Sequence, residues 1–69
     1  MKQNLLAKGY TQDTTNPNRF EHCWGHSSGD MEYVNIQSLT YSREFAEDND
    51  ENFTVQCSSI EELMEWIAE

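Results

Sequence analysis

Residues 53–69 read FTVQCSSIEELMEWIAE, and a change of period inside this stretch decides the fold. From Phe53 to Cys57 the pattern alternates. Phe53, Val55 and Cys57 face inward and Thr54 and Gln56 outward, which is the period of a half-buried strand. From Ile60 the spacing lengthens. Ile60, Leu63, Met64 and Ile67 recur at i, i+3, i+4 and i+7, one face of a 3.6-residue helix, with Trp66 at the edge of the stripe. Ser59 with Glu62 three residues later has the form of a capping box, in which hydroxyl and carboxylate satisfy amides left over at the helix start. A strand followed directly by an amphipathic helix implies a sheet with a helix across one face.

Working outward, residues 31–41 are rich in strand-forming types: Tyr33, Val34, Ile36, Thr40 and Tyr41. The alternation slips near Gln37–Leu39, so a bulge or break is expected there. Residues 19–24 alternate as well, with Phe20, His22 and Trp24 opposite Arg19, Glu21 and Cys23. Residues 11–18 and 25–30 are turn formers and read as loops. Residues 3–10 read as a short strand or a frayed lead-in. In the acidic connector 42–52, Ser42 to Glu47 reads as one helical turn, followed by a solvated run. The expectation is a single α+β domain over residues 1–69: a small antiparallel sheet of three or four strands with one C-terminal α-helix packed on one face.

The chain has 69 residues, and a domain of that size buries only about 60% of the surface its unfolded chain exposes. Eight aromatic residues argue against disorder, because acidic disordered chains have few. No apolar run approaches the ~20 residues of a membrane span. The first eight residues, MKQNLLAK, lack the long apolar segment of a secretory signal, so the expected location is cytoplasmic. Cys23 and Cys57 are then expected to be reduced and to pack as small apolar groups. A bridge between them stays open on sequence alone, since spacing does not establish its geometry.

Charge is distributed unevenly. All four basic residues, Lys2, Lys8, Arg19 and Arg43, lie in residues 1–43, where Asp13, Glu21, Asp30 and Glu32 cancel them. The formal charge of −9 therefore resides wholly in residues 44–69, on Glu44, Glu47, Asp48, Asp50, Glu51, Glu61, Glu62, Glu65 and Glu69. A large field of one sign points to steering toward a partner of opposite sign. On the helix, Glu61, Glu65 and Glu69 form an i, i+4, i+8 series of like charges, and the last two sit near the end of the dipole that prefers cations. Folding alone would place Lys or Arg there.

At 1.5 Å rise per residue, Glu61 to Glu69 spans about 12 Å with four negative charges, a density close to that along one DNA strand. The loop acids Glu44, Glu47, Asp48, Asp50 and Glu51 extend the same field. In composition and charge layout the chain resembles the nucleic-acid mimics of phages and mobile elements, which act against nucleases, polymerases and CRISPR or restriction machinery. That resemblance implies a non-catalytic inhibitor that docks on a basic, nucleic-acid-binding surface of another protein. The plainer reading is a solvated helix face and an acidic loop that keep a small domain soluble. Trp66 reads either as the margin of the core or as an aromatic anchor in the acidic face.

Other motifs carry less. Cys23 and His26 have C-x2-H spacing, with Cys57 as a third candidate ligand, but a zinc site needs a fourth and His22 faces away on a strand. Residues 48–52, DNDEN, imitate the opening of a calcium loop, yet Phe53 and Ser59 stand where an EF-hand needs Gly and Glu. Asn52-Phe53-Thr54 is a glycosylation sequon that matters only in a secreted chain. No Ser or Cys lies in a nucleophile motif, and so short a chain leaves little room for a pocket of ~300 Å³, so no enzyme and no cofactor are expected. Direct contact with nucleic acid or membrane is disfavoured by the charge. Two further classes stay open: a self-associating accessory protein, and a small metal-binding module on Cys23, His26 and Cys57.

Overall fold

The structure, a computed structural model, describes residues 2–25 and 29–68. Five strands follow one another as an antiparallel meander in spatial order β1-β2-β3-β4-β5. They are β1 (Thr11–Gln12), β2 (Arg19–Cys23), β3 (Met31–Asn35), β4 (Thr40–Glu44) and β5 (Phe53–Gln56). Helix α1 (Lys2–Ala7) precedes the sheet, and α2 (Ile60–Ala68) follows it.

Strand alternation sorts the residues onto two faces. Phe20, Val34, Tyr41 and Val55 lie abreast in one row, and His22, Glu32, Arg43 and Phe53 in the next. Phe20, Val34 and Tyr41 are buried there with Leu5 of α1, Leu63 of α2, Tyr10 and Cys57. Both helices therefore cover the same face. The other face carries Arg19, Glu21, Tyr33, Ser42 and Thr54, and among the described residues no helix lies on it.

The α+β class, the antiparallel sheet and the C-terminal helix agree with the sequence reading; several details differ. The expected three or four strands are five. The run 31–41 is two strands, because residues 36–39 turn the chain where the alternation slips. Asn35 Oδ1 accepts from the amides of Gln37 and Ser38 at 2.9 Å each, and Leu39 sits in the left-handed region at φ 58°. Thr11–Gln12, read as loop, pairs with β2, and the rest of 11–18 is a turn built on Asp13 and Asn16. Residues 42–44 extend β4 instead of forming a helical turn, and the connector's short 3-10 turn comes later, at Asn49–Glu51.

Residues 2–7 form a helix, not a strand. Gly9 at φ 96° ends it as a Schellman motif: the Tyr10 amide donates to Leu5 O and the Gly9 amide to Leu6 O. That bond pattern folds Tyr10 back toward Leu5, and both enter the core.

Helix α2 is also rotated relative to the expected stripe. Leu63 is buried and Trp66 and Ile67 are half-buried, whereas Ile60 and Met64 are 48% and 41% exposed. The Trp66 ring stacks on Tyr41, centroids 5.9 Å apart at 22°, and this large contact turns the helix toward its tryptophan side. The start of α2 follows the expectation in part. Glu62 N donates to Ser59 Oγ at 3.2 Å, but the Glu62 carboxylate reaches past Ser59 to Ser58 N and Oγ.

Candidate functional site

The carboxylates of residues 13–32 have partners inside the molecule. Arg19 Nη1 bonds Asp13 at 3.0 Å and Glu21 at 3.1 Å, and its guanidinium lies over the Tyr33 ring. Asp30 Oδ1 accepts from Ala46 N. Glu32, only 7% exposed, accepts from Tyr41 Oη at 2.5 Å, pairs with His22 Nδ1 at 2.7 Å and meets Arg43 Nη2 at 3.5 Å. Burial alone raises the Glu32 carboxyl; the bonds from Tyr41 and His22 and the charge of Arg43 outweigh it and hold the group below its ordinary range. Burial, then the Glu32 hydrogen bond and charge, push the Tyr41 phenol up to about 12.

The acids from residue 44 onward are different. Among the described residues none of them forms an ion pair. Glu47, Asp48, Asp50 and Glu51 are exposed in the β4–β5 connector, and Glu61 and Glu65 are exposed on α2.

The orientation of α2 decides where its acids stand relative to the connector. Across the sheet, Ile67 faces the cleft lined by His22 and Glu32, on the β2–β3 side, while Trp66 faces Tyr41 and Phe53, on the β4–β5 side. At about 100° per residue, Glu62, Glu65 and Glu61 continue around the helix from the Trp66 flank. Of these, Glu62 lies on the flank toward β5, whereas Glu65 and Glu61, each about 160° around the helix from the buried Leu63, stand on the side of α2 turned away from the sheet. Phe53, the first residue of β5 and immediately after the acidic connector, lies 6.0 Å from Trp66 between ring centroids.

Not every predicted residue joins this edge. Glu44 follows Arg43 on β4 and so points to the opposite face, where Tyr33 Oη donates to it at 3.4 Å. Glu62 is half-buried and serves as a cap; the bonds from the Ser58 amide and hydroxyl lower its pKa. Glu69 lies outside the described residues. Trp66 is half-buried between Tyr41 and Phe53, and Trp24 is half-buried against Phe45 and Arg43. The aromatic exposed at the acidic edge is Phe53, 37% accessible, which the alternation had assigned inward. Strand order is the signal that finds it, and only the tertiary structure makes β5 an edge.

The sheet also bears more open space than a chain of this length suggests. A cleft of about 420 Å³ on the helix-covered face is lined by Lys8, Tyr10, His22, Glu32, Arg43 and Ile67 among others. Tyr10 Oη is buried there without a hydrogen bond of good geometry; burial and the nearby Glu32 charge raise its pKa. The groups at this cleft can bond and exchange protons, but no Ser, Thr or Cys side chain is among its described lining.

Cys57 is buried in the core, whereas Cys23 is exposed at the far end of the opposite face, beside Met31 and Glu44. This separation keeps them from sharing a bridge or a metal, and His26 lies outside the described residues. No cluster of three metal-ligating side chains occurs among the described residues, and no helix there is long and apolar enough to cross a membrane.

No family model matches this chain, and no match was found among curated proteins or solved structures.

Proposed function

We propose that this is a non-catalytic binding protein that docks an acidic edge onto a basic surface of another protein, one that ordinarily holds DNA or RNA, and inhibits it by occupying that surface in the cytoplasm. The docking edge consists of Glu47, Asp48, Asp50 and Glu51 from the connector and Glu61 and Glu65 from α2, around Phe53 and Trp66. The observation that carries this reading is the Phe53–Trp66 contact, which sets the end of the acidic connector beside α2. The carboxylates supply long-range attraction and fast encounter, and the partly exposed rings supply contacts that slow dissociation.

The test is capture of partners at low and at high salt, followed by displacement of nucleic acid from the partner retained. Binding should weaken steeply with salt. Glu61→Gln with Glu65→Gln should weaken it further while the fold remains intact. A partner that keeps its nucleic acid when this protein is bound would refute the competitive part, and indifference to salt and to both substitutions would refute the docking edge.

A second reading, self-association, is favoured by one observation: Ile60 and Met64 stand exposed one turn apart on the other flank of α2. Sedimentation distinguishes the two, since a dimer lost on Met64→Lys and unaffected by Glu65→Gln fits only the second.

A further inference from the structure

The acidic margin just described is also an open sheet edge, and its register shows which backbone groups it offers. Cys57 N donates to Leu39 O at 2.8 Å. In an antiparallel ladder hydrogen-bonded and non-hydrogen-bonded pairs alternate, so Tyr41–Val55 and Arg43–Phe53 exchange bonds, whereas Thr40–Gln56 and Ser42–Thr54 do not. The Ser42 Oγ to Thr54 Oγ1 contact of 2.8 Å fits the closer side-chain spacing of a non-hydrogen-bonded pair. The amides and carbonyls of Thr54 and Gln56 therefore point away from β4, off the edge of the sheet.

Edge strands are normally blunted by an inward charge, a lysine, a proline or a bulge. Phe53-Thr54-Val55-Gln56 has none of these. What surrounds it is negative charge, from the connector at one end and α2 overhead. Pairing with a second copy is opposed by that charge. An antiparallel β5–β5 pair would set the 47–51 connector of one copy beside the start of α2 of the other, acid against acid.

We infer that β5 accepts an extended basic segment of the partner as a sixth, antiparallel strand. This rests on the reading above that the acidic edge meets a cationic protein, and it names how. The segment's residues opposite Thr54 and Gln56 exchange backbone bonds with them, and their side chains lie on the uncovered face beside the Thr54 and Gln56 side chains. The residues between them project toward α2. There lysine or arginine lays its aliphatic stem against Phe53 and Trp66 and carries its charge up the flank of α2 toward Glu62 and Glu65. The recognised pattern is a basic residue at every second position, with small polar residues between. Added strands gain affinity from the main chain and selectivity from alternate side chains.

The probe is a capped octapeptide of alternating lysine and threonine, in three forms: unmodified, N-methylated on its threonines, and N-methylated on its lysines. Strand addition puts the threonine amides against β5 and the lysine amides outside. The unmodified and lysine-methylated peptides should bind alike, the threonine-methylated one about tenfold or more weaker. The Thr54 and Gln56 amides should exchange more slowly with peptide bound, and binding should fall with salt and in Glu61→Gln/Glu65→Gln. If methylation at either position is equivalent and both amides exchange as before, while the charge substitutions still weaken binding, strand addition is overturned and the acidic edge stands. If the unmodified peptide does not bind, or binds without regard to salt and charge, both fail. Protection of Thr54 and Gln56 in a dimer formed without peptide assigns the edge to a second copy and overturns the inference.

Discussion

Tyr41 Oη donates to Glu32 Oε2 at 2.5 Å, on the face of the sheet that both helices cover. The two residues belong to neighbouring strands, one row apart, and their bond joins the apolar row of Phe20, Val34 and Tyr41 to the polar row of His22, Glu32 and Arg43. Arg43 Nε closes the arrangement by donating to Tyr41 Oη at 3.1 Å. A buried carboxylate is tolerated here because each neighbour supplies a donor or a positive charge.

Tyr41→Phe should therefore destabilise the fold by about 2 kcal/mol, the range for a hydrogen bond to a charged group, with little loss of apolar packing. Glu32→Gln should couple to it. In a double-mutant cycle read by denaturant unfolding, the two should be non-additive by ~1 kcal/mol or more. Additivity would mean that the bond contributes nothing of its own.

Stability should fall at both ends of the pH scale for separate reasons. The Glu32 carboxyl is held below its ordinary value near 4.5, so its contribution is complete above that pH and is lost as pH falls through its lower folded value. Asp13, held down to about 2 by the hydroxyl and amide of Thr15, acts in the same direction. Tyr41 is raised from 10.0 to about 12, so its contribution is complete below pH 10 and is lost as pH rises toward 12. Unfolding followed across pH should show the alkaline limb shrink in Tyr41→Phe, the remainder belonging to Tyr10, whose phenol is also raised.

Leu63 and Met64 are adjacent in sequence and both belong to the apolar stripe, yet they should respond very differently to truncation. Leu63→Ala opens a cavity beneath α2 and should cost about 3 kcal/mol. Met64→Ala, at a site 41% exposed, should change stability by no more than about 0.5 kcal/mol. Equal losses would mean that the helix packs through Met64 after all.

Glu65→Gln separates stability from binding. It removes a like-charge i, i+4 neighbour of Glu61 from a helix whose last turn contains no basic residue. The melting temperature should stay level or rise slightly, by a gain of a few tenths of a kcal/mol, while partner binding weakens. A matching fall in stability would make the carboxylate structural.

Much of the fold was legible because local patterns report local structure. The change of period at Ile60 located α2, and the alternation at 19–24 and 53–57 located β2 and β5 to within a residue. The slip at Gln37–Leu39 marked a real break, though not that it was a full reversal of the chain. What misled was anything depending on distant neighbours. Lys2–Ala7 is too short to show a helical period, and its helix exists because Leu5 and Tyr10 have a core to enter. Phe53 alternates correctly with Val55, but at the outer corner of the sheet it finds Trp66 and Tyr41 to one side and solvent to the other.

By itself the sequence determined the α+β class, the final strand and helix, and the confinement of net negative charge to residues 44–69, because periodicity and composition are properties of the chain alone. The tertiary structure decided which side of α2 is buried, that Glu44 and Glu65 belong to opposite faces, and that the acidic connector runs into an open edge at β5. Those outcomes depend on which strands become neighbours and on how one tryptophan stacks across two of them, and no local pattern encodes that.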